Sequence, residues 1–287
     1  MKSLLSYIKE AEAEHTAIGH FNISDLTGLK GILEAVRELD KEIPVIIGVS
    51  EGEGNFIGLG QVAALIKSLR EDGSPIFLNA DHTRTIKGIE EAVLAGFDIV
   101  MFDGSRLAYK ENIKLTKEAV SRAKNLNPDI LVEGELGYIA GSSALLEEEI
   151  VIREEDLTRP VEAVVFAEET KIDLLAPSVG NIHGILSYAP NPALDIERIK
   201  EIKKTTNLPL VLHGGSGLRE EEFRAAILAG VSIVHINTEL RLAWRRGLEQ
   251  GLRQNPKEIT PYKILPTAVQ EIKQVVLGHL RTFNLTS

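Results

Sequence analysis

The sequence predicts an α/β fold: one closed (β/α)8 barrel of the TIM type, with a helix ahead of the first strand and a helical extension after the last. Three observations carry this expectation. They are eight short apolar runs rich in β-branched residues, a helix-period segment after each run, and glycine stops where a helix hands over to a strand. Eight such repeats suit a closed barrel better than an open sheet. The 287 residues are expected to form a single domain (1–287), because such barrels commonly use about 250.

In chain order, Met1-Lys-Ser-Leu-Leu-Ser-Tyr-Ile-Lys-Glu-Ala-Glu reads as an amphipathic helix. It lacks the long apolar stretch of a signal peptide or membrane span, so a cytoplasmic location is expected. Strands are expected at 16–22, 44–50, 75–81, 99–104, 129–137, 174–180, 209–215 and 232–238. The helices that follow them are expected at 26–40, 60–72, 85–96, 111–125, 159–170, 193–206, 219–230 and 239–255. Ala95-Gly96 and Ala229-Gly230 each end a helix with glycine just before an apolar strand, where the backbone turns left-handed. One long irregular stretch, 137–158, holds Ala140-Gly141-Ser142-Ser143 and Glu147-Glu148-Glu149. It starts at a strand end and is a lid candidate.

Composition narrows the function. The chain has no cysteine, so any metal must be held by imidazole and carboxylate. A net charge of −10, from 32 basic and 42 acidic residues, argues against nucleic acid or an anionic membrane as partner. An anionic small substrate would then need local donors.

Three histidines stand at the ends of apolar runs: Asp81-His82 after Pro75-Ile-Phe-Leu-Asn-Ala, His183-Gly184 after Leu174-Leu-Ala-Pro-Ser-Val-Gly-Asn-Ile, and His213-Gly214-Gly215-Ser216-Gly217 after Pro209-Leu-Val-Leu. If those runs are strands of one barrel, the imidazoles converge at its C-terminal mouth, where this fold keeps its chemistry, and form a divalent metal site. Asp81, beside a ligand, is placed as an acid/base; an isolated Asp-His pair at this point would more often cap the helix that begins near Thr83-Thr85, but His183 and His213 change those odds. Glu133 and Glu135 alternate at a strand end, so either one can be a fourth ligand, a group behind the ligands or half of a structural ion pair. The glycines of 214–217 and the Ser216 hydroxyl form a nest for an anion, and Asn237-Thr238 opens a helix whose N-terminus favours one too. A tight turn and an N-cap at Thr238 are compatible with that reading.

At this point the chain resembles the class II, metal-dependent ketose-bisphosphate aldolases. The resemblance rests on Phe21-Asn22, Pro44-Val-Ile-Ile-Gly-Val-Ser50-Glu-Gly, Asp81-His82, Met101-Phe-Asp-Gly-Ser105, Glu133-Gly-Glu135-Leu-Gly137, Leu157-Thr-Arg-Pro160, His183-Gly184, His213-Gly-Gly-Ser216 and Asn237-Thr238-Glu239-Leu240, in that order over nearly the whole chain. It implies that His82, His183 and His213 bind a catalytic metal, usually zinc or another divalent transition metal, with a monovalent cation as a further cofactor. Glu135 would belong to a second metal position and Asp81 would be the acid/base. Gly184, Gly214, Gly215, Ser216, Asn237 and Thr238 would hold the phosphate of dihydroxyacetone phosphate, with Asn22, Ser50 and His235 near the substrate. The implied partner is a small phosphorylated sugar, and relatives are commonly homodimers or homotetramers.

Three departures bear on the substrate. A mobile-loop glutamate usual after a Gly-Gly pair is replaced by Gly141-Ser142-Ser143, and Glu147, Glu148 or Glu149 substitutes only if the loop folds differently. His235 stands where the family usually has asparagine. Val269 aligns with an arginine that fructose-bisphosphate members often send to the distal phosphate. The expected activity is reversible retro-aldol cleavage of a ketose phosphate through an enediolate, with fructose 1,6-bisphosphate or tagatose 1,6-bisphosphate leading and another phosphorylated ketose as the alternative. A catalytically reduced metal- and phosphate-binding regulatory protein is a second class. A metal-dependent hydrolase lacks its usual His-x-His pair here. A Schiff-base aldolase is disfavoured because no expected strand end presents a lysine.

Overall fold

The computed structural model describes residues 2–39 and 42–284. Helix α1 (Leu4–Glu14) precedes eight parallel strands: β1 (Ile18–Asn22), β2 (Val45–Ser50), β3 (Ile76–Thr83), β4 (Ile99–Phe102), β5 (Leu131–Leu136), β7 (Leu174–Pro177), β9 (Leu210–Leu212) and β10 (Val231–Ile236). They close in the order β1-β10-β9-β7-β5-β4-β3-β2. All eight expected strands are therefore present; seven are shorter than read, most of all those at 174–177 and 210–212, and only β3 is longer. The outer layer contains α2 (Leu26–Glu38), α4 (Leu59–Leu69), α5 (Ile86–Ala95), α6 (Tyr109–Leu126), α7 (Pro160–Thr170), α8 (Ile196–Thr206), α9 (Glu220–Leu228) and α10 (Thr238–Gln254). The expected extension of the second helix to residue 40 lies outside the described residues, as do Met1 and 285–287 of the first helix and the C-terminal extension. That extension forms α11 (Pro261–Ile264) and α12 (Pro266–Phe283). No helix among the described residues is long and apolar enough to cross a membrane.

Period-2 alternation explains how the barrel supports a polar mouth. The inward residues nearest the N-terminal end, Ile18, Ile46, Phe77, Ile99, Leu131, Leu174, Val211 and Ile233, form one apolar cluster with Leu4, Tyr7, Ile8 and Ala11 of α1. Helix α1 thus closes the floor. Ile8 is fully buried there, a burial worth about 1.5–3 kcal/mol. Two residues further along the same strands stand His20, Asn79, Glu133 and His235, all buried. Another two residues bring Asn22, Ser50, Asp81, Asp103 and Glu135 to the rim. The outward residues of the strands pack beneath the helices.

Three expectations need correction. The stretch 137–158 is not wholly irregular: β6 (Gly141–Leu146) pairs in parallel with β8 (His183–Leu186) as a separate two-stranded sheet outside the barrel. The run expected as a strand over 174–180 ends at Pro177, and Gly180 then turns at φ 98°. His183 consequently sits on β8, not at a barrel-strand end. Finally, Thr238 is not the cap of α10; Asn237 occupies that position and Thr238 opens the helix. A short helix not expected from sequence, α3 (Glu51–Ile57), follows β2 directly.

Candidate active site

Asp81 and His82 are neighbours on β3 and would point to opposite faces of a regular strand. His82 takes φ 50°, and the pairing of β3 with β4 shifts register between Ala80 and Thr83. This bulge turns both side chains toward the mouth, at the cost of a left-handed non-glycine residue of the kind that clusters at functional sites. The helix-cap alternative for Asp81 fails, because Thr85 caps α5 by accepting from the Gly88 N–H.

His82, His183 and His213 come from β3, β8 and the turn after β9, and their ligand nitrogens all lie within 4.8 Å of one another. His82 Nε2 and His213 Nδ1 are 3.2 Å apart. Two ligands on a tetrahedral zinc with bonds of ~2.0–2.1 Å stand about 3.3–3.4 Å apart, so this pair already has the required spacing. His183 Nε2 is buried with no hydrogen-bond partner, as a ligand awaiting an ion would be. The ring orientations are fixed from behind. His213 Nε2 donates to Glu133 Oε1 at 2.7 Å, which leaves its Nδ1 lone pair facing the cluster, and His82 Nδ1 faces Asp103 Oδ2 at 3.2 Å, which turns its Nε2 toward His213 Nδ1 in the cluster. The residues fit a divalent cation.

The electrostatics agree with the geometry. Burial alone would lower His82, but Asp81, Asp103 and Glu135 outweigh it and push the imidazole up to about 10, so the pocket stabilises positive charge at that point. Burial lowers His183 to about 3, helped by its histidine neighbours. Glu135, raised by burial to about 7, has Oε2 3.7 Å from His82 Nδ1, on the Asp103 side of the ring. It belongs to a separate His82, Asp103, Glu135 group and not to the three-histidine cluster.

Asp81 Oδ2 accepts from Asn22 Nδ2 at 3.0 Å. Its Oδ1 has no hydrogen bond and lies 3.5 Å from His235 Nδ1 and 4.0 Å from His82 Nε2. Burial raises this carboxyl, but the surrounding His82, His235 and His20 hold it well below the ordinary carboxylate range. It is ionised and has one oxygen open. Behind it, the His20 and His235 rings stack in parallel at 3.4 Å. Gly48 makes room for this stack, since a Cβ there would meet His20 Cε1 at 2.1 Å.

Asn22, Ser50, Asp81, His82, His183, Gly184, His213, Gly214, Ser216, His235, Asn237 and Thr238 all line one cavity of about 170 Å³. Gly214 takes φ 63°, and a Cβ there would meet the Ile182 carbonyl oxygen at 2.1 Å, so only glycine serves this turn. Two expected residues stay out of the lining: Glu135, and Gly215, whose N–H is committed to the His235 carbonyl at 3.1 Å. Ser216 Oγ accepts weakly from the Asn237 and Glu239 N–H groups at 3.3 Å, the donors of the α10 N-terminus. Asn191 ties Gly184 to Ser216 by donating to both carbonyls at 2.9 Å.

Sequence reasoning missed Glu53 and Arg241. Buried Glu53 accepts from Asn22 Nδ2, the Ser50 N–H and Oγ, and Arg241 Nη2, all within 2.9 Å. Arg241 also donates to the Ser143 carbonyl at 2.9 Å. The one available signal was the capping-box spacing of Ser50 and Glu53. Ser143 lines the cavity, whereas Glu147, Glu148 and Glu149 are exposed beyond the end of β6.

Glu133→Gln tests the support behind His213. It keeps the shape but can present its amide to the imidazole and lose the charge-assisted bond. Metal affinity is expected to fall roughly 10–100-fold, the usual loss for such a partner. Unchanged affinity by competitive chelation would remove Glu133 from that role.

Residues 2–287 match the family model "Fructose-bisphosphate aldolase class-II". The chain is 33% identical over 285 residues to the fructose-bisphosphate aldolase of Geobacillus stearothermophilus, covering 98% of this chain and 96% of that protein. It is 36% identical over 254 residues to the sulfofructosephosphate aldolase of Alkalicoccus urumqiensis, covering 88% and 85%. The crystal structure of the YdjI aldolase from Escherichia coli K12 superposes with a TM-score of 0.82 at 29% identity, covering 99% and 97%.

Proposed function

The chain belongs to the class-II fructose-bisphosphate aldolase family, and on that premise we propose that it cleaves and forms the C3–C4 bond of a ketose phosphate, releasing dihydroxyacetone phosphate and an aldehyde, with zinc held by His82, His183 and His213. The observation that supports this reading is that one cavity brings together an open carboxylate oxygen on Asp81, three convergent imidazoles and a glycine-rich turn beside the N-terminus of α10. At about 170 Å³ the cavity is small against the ~300–1,000 Å³ of drug-sized sites, which suits a triose-sized fragment. Fructose 1,6-bisphosphate and tagatose 1,6-bisphosphate share that fragment with every other ketose 1-phosphate and head the substrates to be tried.

Gly184, Gly214, Ser216, Asn237 and Thr238 clamp the phosphate through backbone donors, the serine hydroxyl and the α10 N-terminus, and this remote anchoring orients the reacting carbons. Asp81 Oδ1 takes the proton of the C4 hydroxyl as C3–C4 breaks; the electron pair stays on the dihydroxyacetone fragment as an enediolate. A bound divalent metal supplies Lewis-acid stabilisation of that charge. Asn22 holds Asp81 Oδ2 in place, and His235 borders the fragment. In condensation Asp81 returns the proton to the new alkoxide.

Ser143 stands where a proton-transfer glutamate is usual, and that tests the reading. Zinc-loaded enzyme is expected to exchange the carbon-bound proton of dihydroxyacetone phosphate in deuterated water, and Ser143→Glu to exchange it faster. Exchange in neither protein would leave a phosphate- and metal-binding regulatory role as the better reading.

A further inference from the structure

A second cavity of about 410 Å³ opens beside the catalytic one, walled chiefly by Ile23, Phe56, Leu240, Trp244 and Ile272. We propose that it is the subsite for the aldehyde half of the substrate and takes an uncharged, carbon-rich tail, so that the preferred substrate is a ketose 1-phosphate with no phosphate at its far end. The inference rests on the aldolase reading and narrows its substrate.

Continuity places the aldehyde half there. Asn22, Asn237 and Arg241 line both cavities, so the two share a wall. Asn22 donates to Asp81, and Asp81 acts on the oxygen of C4, the carbon that becomes the aldehyde. The phosphate nest lies after β9 and at the start of α10, whereas Asn22 ends β1, further round the rim. A ketose with its phosphate in the nest and C4 at Asp81 therefore runs past Asn22 toward the second cavity.

Charge decides what the tail can be. Among the described residues that line either cavity, Arg241 is the one arginine or lysine, and its guanidinium is already matched by the buried Glu53 carboxylate at 2.7 Å. The second cavity adds the Asp25 carboxylate, held by the Gly28 N–H and Trp244 Nε1 at 2.9 Å. Arg241 is neutralised by its partner Glu53, so Asp25 leaves the second cavity with a net negative lining, which repels a phosphate dianion. The rest of the lining is uncharged, the five apolar side chains together with the neutral Asn22, Ser24, Gly28 and Asn237, and Phe56 stands 79% exposed, able to cover a bound carbon chain.

The experiment compares kcat/KM of the zinc-loaded enzyme for fructose 1-phosphate, 6-deoxyfructose 1-phosphate and fructose 1,6-bisphosphate, and repeats it for Phe56→Lys, which sets a cation on the rim. The two monophosphates are expected to exceed the bisphosphate by about tenfold or more, and Phe56→Lys to narrow that gap by improving bisphosphate turnover. A wild-type enzyme that uses the bisphosphate as well as or better than the monophosphates overturns the inference. So does a Phe56→Lys variant that changes oligomer size by sedimentation while the substrate ratios stay fixed, because a second copy of the chain would then be the occupant. Proton exchange on dihydroxyacetone phosphate separates the two levels. Exchange together with bisphosphate preference refutes the subsite alone, whereas no exchange and no cleavage of any ketose refutes the aldolase reading and the subsite with it.

Discussion

His183→Ala is expected to abolish metal uptake and turnover while leaving the barrel folded. His183 Nε2 makes no hydrogen bond in the protein, and its strand β8 stands outside the barrel, so truncation removes no protein partner of that atom and leaves the closed sheet untouched. The loss falls on the ligand set. Removing a partner behind a ligand usually costs 10–100-fold, so removing the ligand itself should exceed that, on the order of 10³-fold in kcat/KM. Elemental analysis and circular dichroism check the two halves. A variant that keeps about one metal per chain and most of its activity would show that the three imidazoles are not the centre.

Asp81→Ala should lower kcat by roughly 10² or more with metal content near parity, the scale of a positioned acid/base. KM should move little, because the proposed phosphate anchors, Gly184, Gly214 and Thr238, are untouched by the substitution. Truncation also strands Asn22, which loses one acceptor but keeps Glu53 at 2.9 Å, so the wall should hold. Loss of metal or of fold in this variant would make Asp81 a structural residue.

The barrel was legible because each strand repeats every two residues and each helix hands over at a recognisable stop. The same alternation contained more than was read from it: His20 precedes Asn22 by two positions and so had to face inward, beneath the site. His82 broke the rule, since only the left-handed bulge at φ 50° brings it to the same mouth as Asp81. Strand β6 was hidden because Gly141-Ser142-Ser143-Ala144 has neither β-branched residues nor alternation, and it is largely exposed beside a single partner strand. Helix α3 was hidden by Gly52 and Gly54, poor helix formers, and Glu53 went unrecognised with it. The three clustered histidines were legible from their place after apolar runs, although His183 lies beyond the end of its barrel strand, on β8. Arg241 was not, because its meeting with Glu53 joins α3 to α10 across 188 residues of chain.

The most direct measurement is cleavage of ketose 1-phosphates by enzyme stripped of metal, verified by elemental analysis, and then reloaded with zinc. Chemistry at a three-imidazole centre predicts no release of dihydroxyacetone phosphate from the stripped protein and recovery in proportion to zinc bound, saturating near one per chain. Full turnover by the metal-free protein would contradict it.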